Sequence, residues 1–238
     1  MSDTDSIRAY AMYNLNKRII EKASSTTLLN KRCFILAGGE SLRGVNLSRL
    51  NKEITIGINR AYETFPEPTY NYLMDLDLYQ DITQDVYGKE SKNKFINSQG
   101  LKICLAIPAH IIYHHNCYVV NRIYTETVSK DIANGIHSGN NCGHGAISLA
   151  ISMGCKDIYL LGYDMQAKKF THSHSGYSYD LKECNERCAG FKKELEYWAP
   201  KWKEAKVNVT QLIIENEQET ALDCFNKRYF RHVVMEGI

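Results

Sequence analysis

Arg32-Cys33-Phe34-Ile35-Leu36-Ala37-Gly38-Gly39-Glu40-Ser41-Leu42 is the stretch that decides the fold class. Five apolar residues, Cys33 to Ala37, make a run short enough for a strand and unbroken enough to be buried on both faces. It stops at Gly38-Gly39, where no Cβ blocks an approaching group. Ser41 adds a hydroxyl, and backbone N–H groups left open at such a turn suit an anion. This is not a P-loop, because no Gly-Lys-Ser/Thr follows, and the third glycine of a dinucleotide fingerprint is missing. A plain β-turn accounts for the same residues, so a phosphate reading needs support from elsewhere in the chain.

A second turn supplies it. His137-Ser138-Gly139-Asn140-Asn141 leads into a helical pattern with Ala146, Leu149, Ala150 and Met153 at i, i+3, i+4 and i+7, closed by Gly154. Asp157-Ile158-Tyr159-Leu160-Leu161-Gly162-Tyr163-Asp164 then reads as another buried strand with an acid at its tip. Two polar glycine turns on neighbouring strand ends form one crevice, the usual ligand position in an open α/β sheet. The expected fold is therefore a single three-layer, Rossmann-like α/β domain with a mainly parallel sheet. Its strands centre on Phe34, Ile56, Tyr72, Cys104, Tyr159 and Thr210, with Tyr118-Val119-Val120 as a short edge.

Ala37-Gly38-Gly39-Glu40-Ser41-Leu42, followed by Asn46-Leu47-Ser48-Arg49-Leu50, resembles the G-x-G-P-S-L…D-x-x-x-L opening of the bacterial sialyltransferases of glycosyltransferase family 42. It is similar also to the motility-associated-factor glycosyltransferases, the archaeal hydroxymethylpterin pyrophosphokinases and related phage proteins. Ile56-Gly57-Ile58-Asn59-Arg60, Ser138-Gly139 with the helix to Gly154, Leu161-Gly162-Tyr163-Asp164, and Thr220-Ala221-Leu222-Asp223-Cys224-Phe225 extend the resemblance over most of residues 32–226. Glu40 stands where those proteins have proline. The resemblance implies a transferase with a nucleotide or nucleotide-sugar donor, most simply glycosyl transfer to a hydroxyl on a glycan or nucleobase. Pyrophosphoryl transfer, phage DNA-base hypermodification and a non-catalytic nucleotide-binding role remain open beside it. The donor would rest on Gly38, Gly39, Ser41, Asn59, Arg60, Ser138, Gly139 and Asn140. Arg60 has a second reading, a surface arginine paired with Glu63.

The segment at about 166–182 is polar, aromatic and glycine-bearing, as a lid over a crevice would be. Family 42 enzymes carry their base histidine and phosphate-binding tyrosines on such a lid. The expectation is His174 as general base ahead of His172, Tyr177 or Tyr179 on the leaving phosphate, and Asp164 orienting the imidazole or holding the acceptor. Water-exposed loop histidines are the alternative, as is a zinc set of His172, His174, Cys184 and Cys188.

Asp75-Leu76-Asp77 at a strand end is the kind of motif that holds Mg²⁺ or Mn²⁺ against a diphosphate, and either acid serves equally as a cap for a helix over 78–86. Family 42 enzymes work without a metal, whereas the pterin kinases point the other way. His110, His114 and His115 match no metal spacing and read as loop residues. Residues 87–100 read as a surface loop, and a helix over 181–199 is expected to stop at Pro200.

The whole chain has 238 residues, 44% hydrophobic and 24% charged, with a net charge of +2, which suits one domain and argues against a nonspecific polyanion binder. Eight scattered cysteines fit reduced, buried thiols of a cytoplasmic protein. No apolar run reaches membrane-spanning length. Residues 1–30 form an N-terminal extension whose apolar pattern over 6–23 suits a helix packed on the domain or on a second subunit of a homo-oligomer. The domain occupies 31–226, and 227–238 read as a tail.

Overall fold

The computed structural model describes residues 28–105, 117–176, 179–214 and 221–235. The expected N-terminal helix, the histidines at 110, 114 and 115, Tyr177 and Thr220 lie outside them.

Strands β1 (Arg32–Leu36), β2 (Ile54–Ile58), β3 (Tyr70–Leu73), β4 (Leu101–Leu105) and β5 (Cys117–Val120) run outward in chain order from the centre of the sheet. After the short strands β6 (Arg122–Ile123) and β7 (Ile136–His137), which pair only with each other, the chain returns to the other side of β1. There it lays down β8 (Asp157–Leu161), β9 (Asn208–Ile213) and β10 (Asn226–Tyr229). The order is β10-β9-β8-β1-β2-β3-β4-β5, and every pairing among the described strands is parallel. The fold is thus α/β with a Rossmann-like parallel sheet. The direction of winding reverses at β1 and β8.

The unbroken apolar run of β1 is explained by helices on both faces. Cys33 and Ile35 join the core beneath α3 (Cys142–Ser152) and α4 (Leu181–Glu204), whereas Phe34 and Leu36 face Leu42, Leu50 and the closing helix α5 (Phe230–Met235). Helices α1 (Leu76–Thr83) and α2 (Lys89–Asn97) cover the β3–β4 end around Tyr62, Tyr79 and Phe95. α3 lies buried along its whole length apart from Gly143, with His144, Ser148 and Ser152 buried beside its apolar residues. Asn141 caps it, accepting from the His144 N–H at 2.7 Å.

Three elements differ from the sequence reading. Residues 89–97 are a helix, not a loop, since Ser91 and Phe95, four apart, suffice to seat it on the core. α4 passes through Pro200 to Glu204, because the missing proline N–H removes one hydrogen bond while Leu195, Trp198 and Trp202 keep the last turns buried. The segment read as a tail adds β10 to the sheet and buries Phe230, Val233 and Val234. Asn226-Lys227-Arg228-Tyr229 is an exposed edge strand with no apolar alternation, so it leaves no strand signal. Among the described residues no helix is long and apolar enough to cross a membrane.

Candidate functional site

A crevice of about 480 Å³ opens at the carboxyl ends of the strands, where β1 and β8 part company. Ala37, Gly38 and Gly39 line it from β1, Asn59 from β2, and Asp75 from β3. Gly162, Tyr163 and Asp164 line it after β8, and Asn140 to Gly143 at the start of α3. The wall also includes His172, Tyr179, Asp81 and, on α4, Cys184, Arg187 and Cys188.

The two glycines after β1 are there for room. The Gly39 N–H donates to the Gly162 carbonyl at 3.0 Å, and a Cβ on Gly39 would lie 2.3 Å from that oxygen and 2.5 Å from Asp164 Oδ2. A Cβ on Gly38 would lie 2.8 Å from Cδ2 of His172, and the Gly38 carbonyl accepts from the Ser173 N–H at 2.9 Å. The glycine turn therefore receives strand β8 on one side and a histidine ring on the other.

Ser41 does not reach the crevice. Its N–H and hydroxyl both donate to the Asp164 carboxylate, at 2.9 and 2.6 Å, which clasps the β1 turn to the β8 tip. Asp164 is thereby a fastening of the crevice floor as well as part of its lining. Arg60 pairs with Glu63 as the alternative had it, but it is buried rather than on the surface. Its guanidinium pairs with Glu63 at 2.9 Å, lies 3.8 Å from the Tyr87 ring centroid and donates to the Ser175 carbonyl at 2.8 Å.

Glu40 faces away from the crevice. One oxygen accepts the N–H groups of Lys168, Lys169 and Phe170 at 3.0, 3.1 and 2.9 Å, while Arg43 stacks on Phe170 with 4.0 Å to the ring centroid. Burial works to raise the Glu40 carboxyl, but the three N–H donors outweigh it and hold it below its ordinary value. The acid that stands where the resembling proteins have proline thus anchors the segment carrying His172.

Of the two lid histidines, it is His172 that lines the crevice. Its Nε2 meets the Tyr179 hydroxyl at 3.0 Å, and His174 stands behind with 5.6 Å between ring centroids. Burial, with the neighbouring His174 and Arg60, lowers His172 to about 4; burial, with Arg60, lowers His174 likewise to about 4. Both imidazoles are neutral at pH 7 and able to accept a proton. Burial pushes the Tyr179 phenol up, so it stays protonated beside His172.

These histidines carry a stability signature. His137 is also lowered to about 4, by burial and by His144. The unfolded chain takes up protons near pH 6.5 and the folded one only near pH 4. The stabilisation is therefore complete above pH 6.5 and lost as pH falls from 6.5 to 4, by about 1–2 kcal/mol per imidazole at pH 5. The denaturant midpoint is expected to drop on going from pH 7 to pH 5; a midpoint that holds steady contradicts buried, neutral imidazoles.

The metal readings fare differently. Asp75 sits at the N-cap position of α1 with Cys142 Sγ 3.8 Å from its Oδ2, but Asp77 does not line the crevice. Among the described residues no three His, Cys, Asp or Glu side chains converge as a metal set, in Asp75–Asp77 or in the His172–Cys188 group.

The second predicted turn holds an acid of the chain's own. Ser138 is buried, the Gly139 carbonyl accepts from Arg122, and the Glu194 carboxylate of α4 fills the hollow beside Asn140. Asn140 lines the crevice as expected, together with Asn141, Cys142 and Gly143, which sequence reasoning left aside. Asn141 three residues before His144 was a legible capping signal; Glu194, fifty residues further on, leaves none. Burial pushes the Cys142 thiol up to about 12, which makes it a wall rather than a nucleophile.

Fold and site define an open parallel α/β protein with a ligand-sized crevice at its switch point, walled by a glycine turn and an imidazole–phenol pair. In comparisons with known proteins, no family model, no curated protein and no solved structure matches the chain.

Proposed function

We propose that this chain is a transferase that seats a nucleotide-activated donor in the crevice and passes its glycosyl group to a hydroxyl acceptor. The observation that carries this reading is the meeting of the Gly38–Gly39 turn with the neutral His172 imidazole, itself bonded to Tyr179, across one crevice at the sheet's switch point. Bare backbone at the end of β1 suits close approach by a phosphate. The His172 Nε2 takes the acceptor's hydroxyl proton as the oxygen attacks, and the Tyr179 hydroxyl, released from His172, donates to the departing phosphate. Arg187, paired with Glu183 at 2.8 Å, lines the same wall 5.1 Å from the Tyr179 ring centroid. The segment running over Gly38 keeps water from the activated sugar. The resemblance to family 42 and its relatives supports the same reading, with His172 in place of His174 as the base.

A panel of CMP, CTP, UDP, GDP and ATP, each with and without Mg²⁺, tests it by thermal shift. One nucleotide is expected to raise the midpoint by several degrees, as site occupancy at roughly a hundred times Kd requires. Release of the nucleoside phosphate with sugar transfer supports glycosyl transfer. AMP release from ATP would move the reading to pyrophosphoryl transfer, and modified nucleosides in DNA to base modification. No shift with any nucleotide sinks the proposal.

A further inference from the structure

Apart from the pair His172 and Tyr179, a second polar cluster gathers around the Glu194 carboxylate of α4. Both its oxygens accept from the Asn140 N–H at 3.0 Å, Oε2 accepts from Asn141 Nδ2 at 2.8 Å, and Oε1 faces His144 Nδ1 at 2.6 Å. Gly139 has φ +52°, and a Cβ there would lie 1.2 Å from Glu194 Oε1, so the carboxylate occupies the space of a missing side chain. Burial works to raise the Glu194 carboxyl, and the donors from His144, Asn140 and Asn141 outweigh it and hold it below its ordinary value. An ionised acceptor makes His144 Nδ1 the donor. Its Nε2 lies 3.2 Å from His137 Nδ1, and the fully buried ring is held between Trp198 and Trp202. A backbone N–H, an amide and an imidazole thus converge on one negative charge. Asn140 and Asn141 also line the crevice.

We propose that Glu194 is the permanent anion of the turn at 139–141, a positioning residue that fixes Asn140 and Asn141 on the crevice wall and closes this turn to the phosphates of a ligand. The phosphates are then confined to the Gly38–Gly39 side and a neutral part of the ligand meets Asn140 and Asn141, a consequence that rests on the nucleotide reading. Like charges in contact would repel any second anion placed beside Glu194.

Chemical rescue tests it. Glu194→Ala leaves a carboxylate-sized hollow ringed by donors, so its thermal midpoint is expected to fall by roughly 5–10 °C. Formate should restore most of that fall saturably, beyond chloride at equal ionic strength and beyond its effect on the native protein. The downfield Nδ1 proton resonance of His144 should vanish in the variant and return with formate. A Glu194 that is not the charged acceptor of these donors predicts no saturable rescue and no returning resonance, and either absence overturns the proposal. If Glu194→Ala does not fold, Glu194→Gln keeps the shape without the charge; it should lose the downfield resonance, and an unchanged one overturns the proposal. The formate-filled variant should bind the same nucleotide as the native protein with an affinity within about threefold. A native protein that binds no nucleotide defeats the nucleotide reading while leaving the formate result to decide the role of Glu194.

Discussion

Replacing His172 by alanine is expected to lower turnover by about 10²–10⁴-fold while leaving donor affinity nearly unchanged. The size follows from the role. An imidazole that removes the acceptor proton acts only in the transition state, so its loss appears in kcat and in kcat/KM alike. His172 lines the crevice, is neutral at pH 7 and packs over Gly38, where bare backbone awaits a phosphate. With the base lowered to about 4, activity should stay flat across neutral pH and fall only on acidification toward that value. His174→Ala should cost far less, since His174 stands behind the wall and touches the crevice through His172. Steady-state kinetics of both variants with the donor found by the nucleotide panel decide the matter. The reverse ranking would return the base to His174, and two fully active variants would end the histidine mechanism.

The second large effect is on stability. Gly39→Ala is expected to destabilise the fold by about 3 kcal/mol or more, because the new methyl group must enter the seam between β1 and β8. It would meet a backbone carbonyl at 2.3 Å and the buried Asp164 carboxylate at 2.5 Å, and neither is the free end of a flexible side chain. Making room separates the Gly39–Gly162 hydrogen bond and the two bonds from Ser41 to Asp164. Backbone conformation is not at issue, since Gly39 has φ −58°, open to any residue. Gly38→Ala offers the control. Its methyl group would meet the His172 ring edge at 2.8 Å, and a ring can swing aside. That variant should keep most of its stability and lose activity with the displaced histidine. Urea unfolding of the two variants separates them; a Gly39→Ala midpoint near the native one would show that the seam yields easily.

The strands that carry the crevice were legible because parallel strands buried on both faces read as unbroken apolar runs. Cys33 to Ala37 is such a run, Ile54 to Ile58 and Ile158 to Leu161 come close to one, and they stop at Gly38, Asn59 and Gly162. The α3 pattern with its Asn141 cap is equally local. From these, the parallel sheet and a crevice at its carboxyl edge follow. Gly38, Gly39, Asn59, Asn140, Asp75, Asp164, His172 and Tyr179 were named from sequence and do line it.

What each polar group does there was settled only by the fold, because it depends on contacts between residues far apart in sequence. Ser41 offered a hydroxyl for a phosphate, but Asp164, 123 residues away, takes it. Glu40 stands where the resembling proteins have proline, and the N–H groups at 168–170, far along the chain, take its carboxylate. Gly139 promised a second phosphate cradle, and Glu194, arriving on the same face of the turn from α4, supplies the charge from within the chain. Nothing in the local pattern separates His172 from His174, two residues apart on an irregular segment. The Ser173–Gly38 hydrogen bond and the anchor at Glu40 decide which ring turns inward. Apolar periodicity is written into neighbouring residues and survives without the fold. The pairing of a donor with an acceptor from another element exists only after the sheet has brought the two within three ångströms of each other.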